Sequence, residues 1–125
     1  MGPVGNLERE FDSIAEHWSP RVIATANGQY VKLAKVQGEF IWHTHADEDE
    51  FFLVHRGTFI IRYRDGSEAI LKAGDFHVVP RGVEHCPYAP EETWIVFVEP
   101  ATTTHTGDVR SDRTKSIEAQ IAHLR

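Results

Sequence analysis

Five of the chain's eight histidines, His43, His45, His55, His77 and His85, fall in its central half. His43 and His45 are separated by one residue within the run FIWHTH, which reads as a strand. Alternate residues of a strand share a face and sit roughly 6.5–7 Å apart along it, so both imidazoles can enter one cavity and share an ion. Glu50 opens the apolar run EFFLV, where a buried carboxylate is costly unless a cation or a hydrogen-bond donor compensates it. His85, ending PRGVEH, brings a third imidazole from a separate turn. Three imidazoles and one carboxylate suit a single divalent ion of Zn, Fe, Mn, Ni, Co or Cu, whereas calcium prefers an all-oxygen set. An HxH pair alone is a weak signal, since two exposed strand histidines look the same.

The elements that must position these residues follow from hydrophobic period. Leu7, Phe11 and Ile14 recur at helical spacing behind Asn6, an N-cap residue, and Pro20 disfavours helix just before it, so a short helix is predicted over 7–17. From Arg21 to Glu99 the pattern becomes β-branched and aromatic runs: RVIATA, QYVKLAKV, FIWHTH, EFFLVHRG, TFIIRYR, EAILKA, FHVVP and TWIVFVEP. Asn27-Gly28 and Asp65-Gly66 suit tight hairpin turns. Many short antiparallel strands in so short a chain predict an all-β barrel or double-sheet sandwich. The division is an N-terminal arm with a short helix (1–20), a barrel (21–100) and a tail (101–125), in which Ile117, Ile121 and Leu124 predict a second short helix.

At 125 residues, one domain with a modest core is the expectation. Net charge is −6, which disfavours nucleic-acid backbones and anionic membranes as partners and favours a small molecule. No run approaches the roughly 20 apolar residues of a membrane span. Residues 1–12 lack a basic segment followed by an apolar one, and Cys86 is the only cysteine, so a cytoplasmic location is expected.

Gly38, His43-Thr44-His45, Glu50 and Gly57, followed by Gly74-Asp75, Pro80-Arg81-Gly82 and His85, resemble the two sequence motifs of the cupin superfamily. The motifs cover 38–85, and the flanking strands extend the likeness over about 21–100. Two positions depart from the commonest pattern: the gap from Gly38 to His43 is one residue shorter, and Ala89 stands where many cupins carry Asn. The resemblance implies a double-stranded β-helix or jelly-roll barrel with His43, His45, Glu50 and His85 as metal ligands inside it. By cupin spacing Glu50 is the ligand, Glu48 the alternative, and Asp47 and Asp49 belong to a solvated loop.

Strand alternation then puts Phe52 and Val54 inside with Glu50, and Phe51, Leu53 and His55 outside. It likewise leaves Phe40, Trp42 and Thr44 outside. Such an outer face should be covered by the N-terminal helix or by a second copy of the chain, so a homodimer is expected. Tyr63 and His77 are the candidate acid or base residues near the metal, although an outward His77 is the favoured orientation. His17 and His55 read as surface or interface residues. Cys86, adjoining His85, should point away from the metal. Tyr63, Tyr88, Trp94, Phe97, Arg62 and Arg64 are candidate pocket walls, and Arg81 could meet an anionic substrate or close a surface ion pair. Four protein ligands leave positions open for substrate oxygens, which fits isomerase, lyase or dioxygenase chemistry on a small oxygen-rich metabolite. A non-catalytic binding module is the alternative.

Overall fold

The computed structural model describes residues 3–103, 107 and 116–121. Helix α1 (Leu7–Asp12) precedes seven strands: β1 (Arg21–Ala26), β2 (Gln29–Glu39), β3 (Glu50–Arg56), β4 (Thr58–Tyr63), β5 (Glu68–Lys72), β6 (Phe76–Val79) and β7 (His85–Pro100). Helix α2 (Ile117–Ile121) follows. All pairings are antiparallel, in the order β1-β2-β7-β3-β6, with β4 joined to both β7 and β5. This is the expected all-β architecture with short flanking helices.

Strand β7 holds the fold together. Its first part runs between β4 and the end of β2, pairing Ile60 with Tyr88 and Gly38 with Ala89. Its second part runs between β2 and β3, where Phe97 is opposite Lys32 on one side and Phe52 on the other. A bulge in β2 between Val36 and Gly38 marks the change, as expected where a strand bends from one sheet into another.

The interior follows period two. Glu50, Phe52 and Val54 of β3 are buried, whereas Phe51, Leu53 and His55 are half-buried on the other face. Phe52 and Val54 join Phe59, Ile61, Val79 and Phe97 in the main core, each large side chain contributing about 1.5–3 kcal/mol on burial. On the outer face, α1 lays Phe11 and Ile14 against Leu33, Trp94 and Val96, with Leu53 packed beside them. Phe11 stacks on both His55 and Trp94. The helix therefore covers part of the outer face, as the sequence requires.

Two elements differ from expectation. The predicted helix over 7–17 ends at Asp12, because the Ser13 and Ile14 amides donate three residues back, to Glu10 and Phe11, and the Ser13 hydroxyl donates to the Glu10 carbonyl as well. That geometry tightens the last turn and ends the helix. The run FIWHTH is not a strand: after Glu39 the chain leaves the β2 ladder and meets β7 again through the Phe40 amide and a single bridge, His43 to His85. In the tail, Ile117 begins α2 as predicted, while Leu124 lies outside the described residues.

Candidate metal centre

The four expected donors converge. His43 and His45 come from the loop between β2 and β3, Glu50 from the first position of β3, and His85 from the first position of β7. One donor atom from each lies within 4.8 Å of all the others, and all four residues are buried. His43 and His85 exchange both backbone hydrogen bonds at 3.0 Å, which locks the loop to β7. The Gly82 amide, in the turn before His85, donates to the His45 carbonyl at 2.8 Å and ties down the other end of the pair.

The imidazoles are set for ligation by their outer nitrogens. Nδ1 of His43 is 2.9 Å from the Ile41 carbonyl, and Nδ1 of His85 is 2.9 Å from the Val83 carbonyl. A carbonyl can only accept, so each Nδ1 carries the proton and each Nε2 presents a lone pair. Burial, followed by the neighbouring His85, lowers the His43 pKa to about 4, which keeps its ring neutral as ligation demands. Glu50 Oε1 stands 3.2 Å from His45 Nε2 and 3.5 Å from His85 Nε2. Among the described residues neither Glu50 Oε1 nor His85 Nε2 has a hydrogen-bond partner, although both are buried. Converging donors left unsatisfied in a protein interior are what a divalent cation would satisfy, so the residues fit the ion that the sequence implies.

Glu99, which sequence reasoning missed, completes the site. It is buried near the end of β7, with Oε1 at 2.6 Å from Lys32 Nζ. Lys32, itself buried in β2, also donates to Gln120 Oε1 of α2 at 2.5 Å. Burial and the charge of Glu50 raise the Glu99 pKa, against the pull of Lys32. Burial pushes Glu50 up as well, but the neighbouring His45, His85 and Glu99 outweigh it and hold that carboxyl low. The opposite shifts mark Glu99 as the carboxyl of the pair that takes a proton first. The signal was present in TWIVFVEP: Glu99 keeps the inward parity of Ile95 and Phe97, an acid at a core position just as Glu50 is.

A cavity of about 40 Å³ opens beside the donors. His43, Glu50 and Glu99 line it, and its walls include Trp18, Phe40, Phe52, Phe59, Ile95 and Phe97. Phe40 therefore faces inward, contrary to the alternation argument, because it lies outside any strand and its ring meets His43 edge-on at 5.6 Å. Of the six candidate wall residues only Phe97 lines the cavity. Trp94 packs under α1, the guanidinium of Arg62 lies over Tyr88, and that of Arg64 lies over Trp42. His77 also departs from its favoured orientation: it pairs with inward Phe52 and so shares that face. Its Nε2 is 2.7 Å from the Tyr63 hydroxyl, and Tyr63 is opposite His85 in register. Neither lines the cavity.

The remaining polar residues take structural places. Arg81 donates from its backbone and its guanidinium to Asp49, and Asp47 is exposed. Glu48 accepts from the Thr102 hydroxyl. His17 bonds Glu92, and His55 bonds Glu8 of α1. Cys86 is buried, and burial pushes its thiol up to about 11, so it is no nucleophile.

Fold and site together define the class. The profile of the family described as "Cupin domain" matches residues 29–99, more than half of the sequence, and the chain belongs to the cupin family. It is 35% identical over 85 residues to uncharacterized protein YdbB of Bacillus subtilis (strain 168), covering 68% of this chain and 75% of that protein. A solved cupin-2 domain containing protein from Shewanella frigidimarina is 50% identical, with a TM-score of 0.75 over 78% of this chain and 94% of that one. Protein NMB1881 from Neisseria meningitidis is 28% identical, with a TM-score of 0.73 over 79% of this chain and 100% of the other.

Proposed function

We propose that the chain is a metal-dependent enzyme that holds one divalent transition-metal ion through His43, His45, Glu50 and His85. It acts there on a small molecule by isomerase, lyase or dioxygenase chemistry. The observation that carries this reading is the convergence of four buried donor atoms within 4.8 Å beside a cavity that His43 and Glu50 line. When bound, such an ion supplies Lewis acidity or, if redox-active, oxygen chemistry to oxygens at its open positions.

The chain's own residues do the rest. The Ile41 and Val83 carbonyls aim His43 and His85 inward, and Lys32 holds Glu99 where it can give or take a proton beside Glu50. The apolar walls limit water. We assign Tyr63 and His77 a supporting role, because Tyr63 is opposite His85 in register and bonded to His77, and both lie outside the cavity.

The small cavity favours a second reading, a binder of metal or ligand without turnover. The net charge of −6 supports a small-molecule partner rather than nucleic acid or membrane, and no helix among the described residues is long and apolar enough to cross a membrane. A single buried thiol supports a cytoplasmic location. A homodimer is supported by an apolar face on β3 and β6, where Phe51 stacks on Phe76.

Metal content tests the site. Untagged protein prepared without chelator should carry about one equivalent of a transition metal by plasma mass spectrometry, and His43→Ala should carry almost none. Unchanged occupancy in His43→Ala would show the ligand set to be wrong. Zinc in the wild type points to non-redox chemistry, whereas iron, manganese, nickel or copper makes oxygen consumption the next assay.

A further inference from the structure

From the walls of the cavity we infer the class of its ligand: a compact molecule of a few carbons, with two adjacent oxygens at one end and a hydrocarbon body at the other. This rests on the metal-centre reading above. The polar lining groups His43, Glu50 and Glu99 lie together, Glu99 beside Glu50, and only Glu99 among them lies outside the donor set. The other lining residues are aromatic or aliphatic. A hydroxyl on the ligand's body finds no partner there and is left desolvated. The cavity is small, about 40 Å³, and suits a compact ligand.

Trp18 shows that this apolar wall is built and not incidental. Its backbone sits at φ 57°, a left-handed conformation that a bulky L-residue rarely adopts. Two hydrogen bonds to β2 hold it there: its amide donates to the Lys35 carbonyl and its indole Nε1 to the Gln37 carbonyl, both at 2.9 Å. With Nε1 so engaged, the indole's polar group is satisfied by β2, and its ring stacks on Phe40 at 4.7 Å and 18°. Phe40 in turn touches the His43 ring. A strained residue held by its surroundings at the wall of a candidate site points to function. Trp18 and Phe40 grip the ligand's body, and Glu99 accepts from the hydroxyl of its head.

The test compares two α-hydroxy acids of equal charge and nearly equal size, 2-hydroxybutanoate and glycerate, which differ by a terminal methyl in place of a hydroxyl. Protein loaded with one equivalent of zinc, checked by plasma mass spectrometry, is titrated with each by calorimetry and by tryptophan emission. We expect 2-hydroxybutanoate to bind at least tenfold and up to about a hundredfold more tightly. Trp18→Ala should erase most of that preference, and Trp18→Phe, which keeps an aromatic wall, should retain it while losing the emission change. Equal or tighter glycerate binding overturns the proposal. So does a zinc-loaded protein that binds neither acid, and that result leaves the metal centre standing. Failure to take up zinc at all overturns the metal centre and the ligand class together.

Discussion

The paired carboxyls Glu50 and Glu99 make metal uptake a proton-coupled event. Glu50 is held low and Glu99 raised, so an ion bound at Glu50 would cancel the charge that favours a proton on Glu99. Zinc titrations in buffers of different ionisation enthalpy should report proton release, and Glu99→Gln should reduce that release. His43 sets a second dependence. Its neutral form is favoured on folding, so the unfolded chain takes up a proton near pH 6.5 and the folded chain only near pH 4. The stability contributed by neutral His43 is complete above about pH 6.5, falls as pH drops through that window, and levels off below 4, a loss of about 3 kcal/mol. Urea denaturation of chelator-treated protein across pH 4–7 should show this slope, and His43→Ala should lack it.

Among the elements, the turn from β3 into β4 tolerates little change. Gly57 has φ 97°, and a Cβ there would stand 2.9 Å from the Glu92 carbonyl oxygen and 2.5 Å from Thr93 Oγ1. That hydroxyl receives the Thr58 amide and donates to the Thr58 carbonyl, so it cannot yield cheaply. Gly57→Ala should destabilise by more than about 1 kcal/mol, read as a lower thermal midpoint, with zinc stoichiometry retained at saturation. The same scale shows where the sequence was legible. EFFLVHRG and TFIIRYR alternate cleanly, and β3 and β4 lie where that alternation puts them. FIWHTH satisfies the same pattern, yet it forms one isolated bridge, at His43, and single hydrogen bonds at Phe40 and His45, because no ladder runs alongside it. Pro87 and Pro90 hid the first part of β7, since proline ordinarily argues against an interior strand. Type and spacing suggested the four donors, and the cupin resemblance chose Glu50 over Glu48. Trp18 and Lys32 were not, because a positive φ and a buried ammonium depend on contacts between segments far apart in the chain.

For the whole molecule, the uncovered apolar surface decides the expected assembly. Phe76 is 69% exposed and Val78 46%, both on β6 at the edge of its sheet. α1 covers Leu53 but does not extend over the Phe51 and Phe76 stack. An open edge strand carrying such side chains is a template for a second copy. Sedimentation velocity at micromolar concentration should give a dimer, and Phe76→Asp should give a monomer that still takes up zinc. A monomeric wild type would refute the assembly and leave the site untouched.

Strand β7 starts at His85 and pairs with β2, β3 and β4, so the site's third imidazole is delivered by the strand on which most of the long-range pairing depends. Contacts between segments so distant in sequence form slowly. Capture of an ion at this site would consequently be a late event in folding and would not nucleate the nascent chain. In stopped-flow refolding, the visible absorption of bound cobalt would trail the recovery of strand signal, timing the moment at which β7 docks.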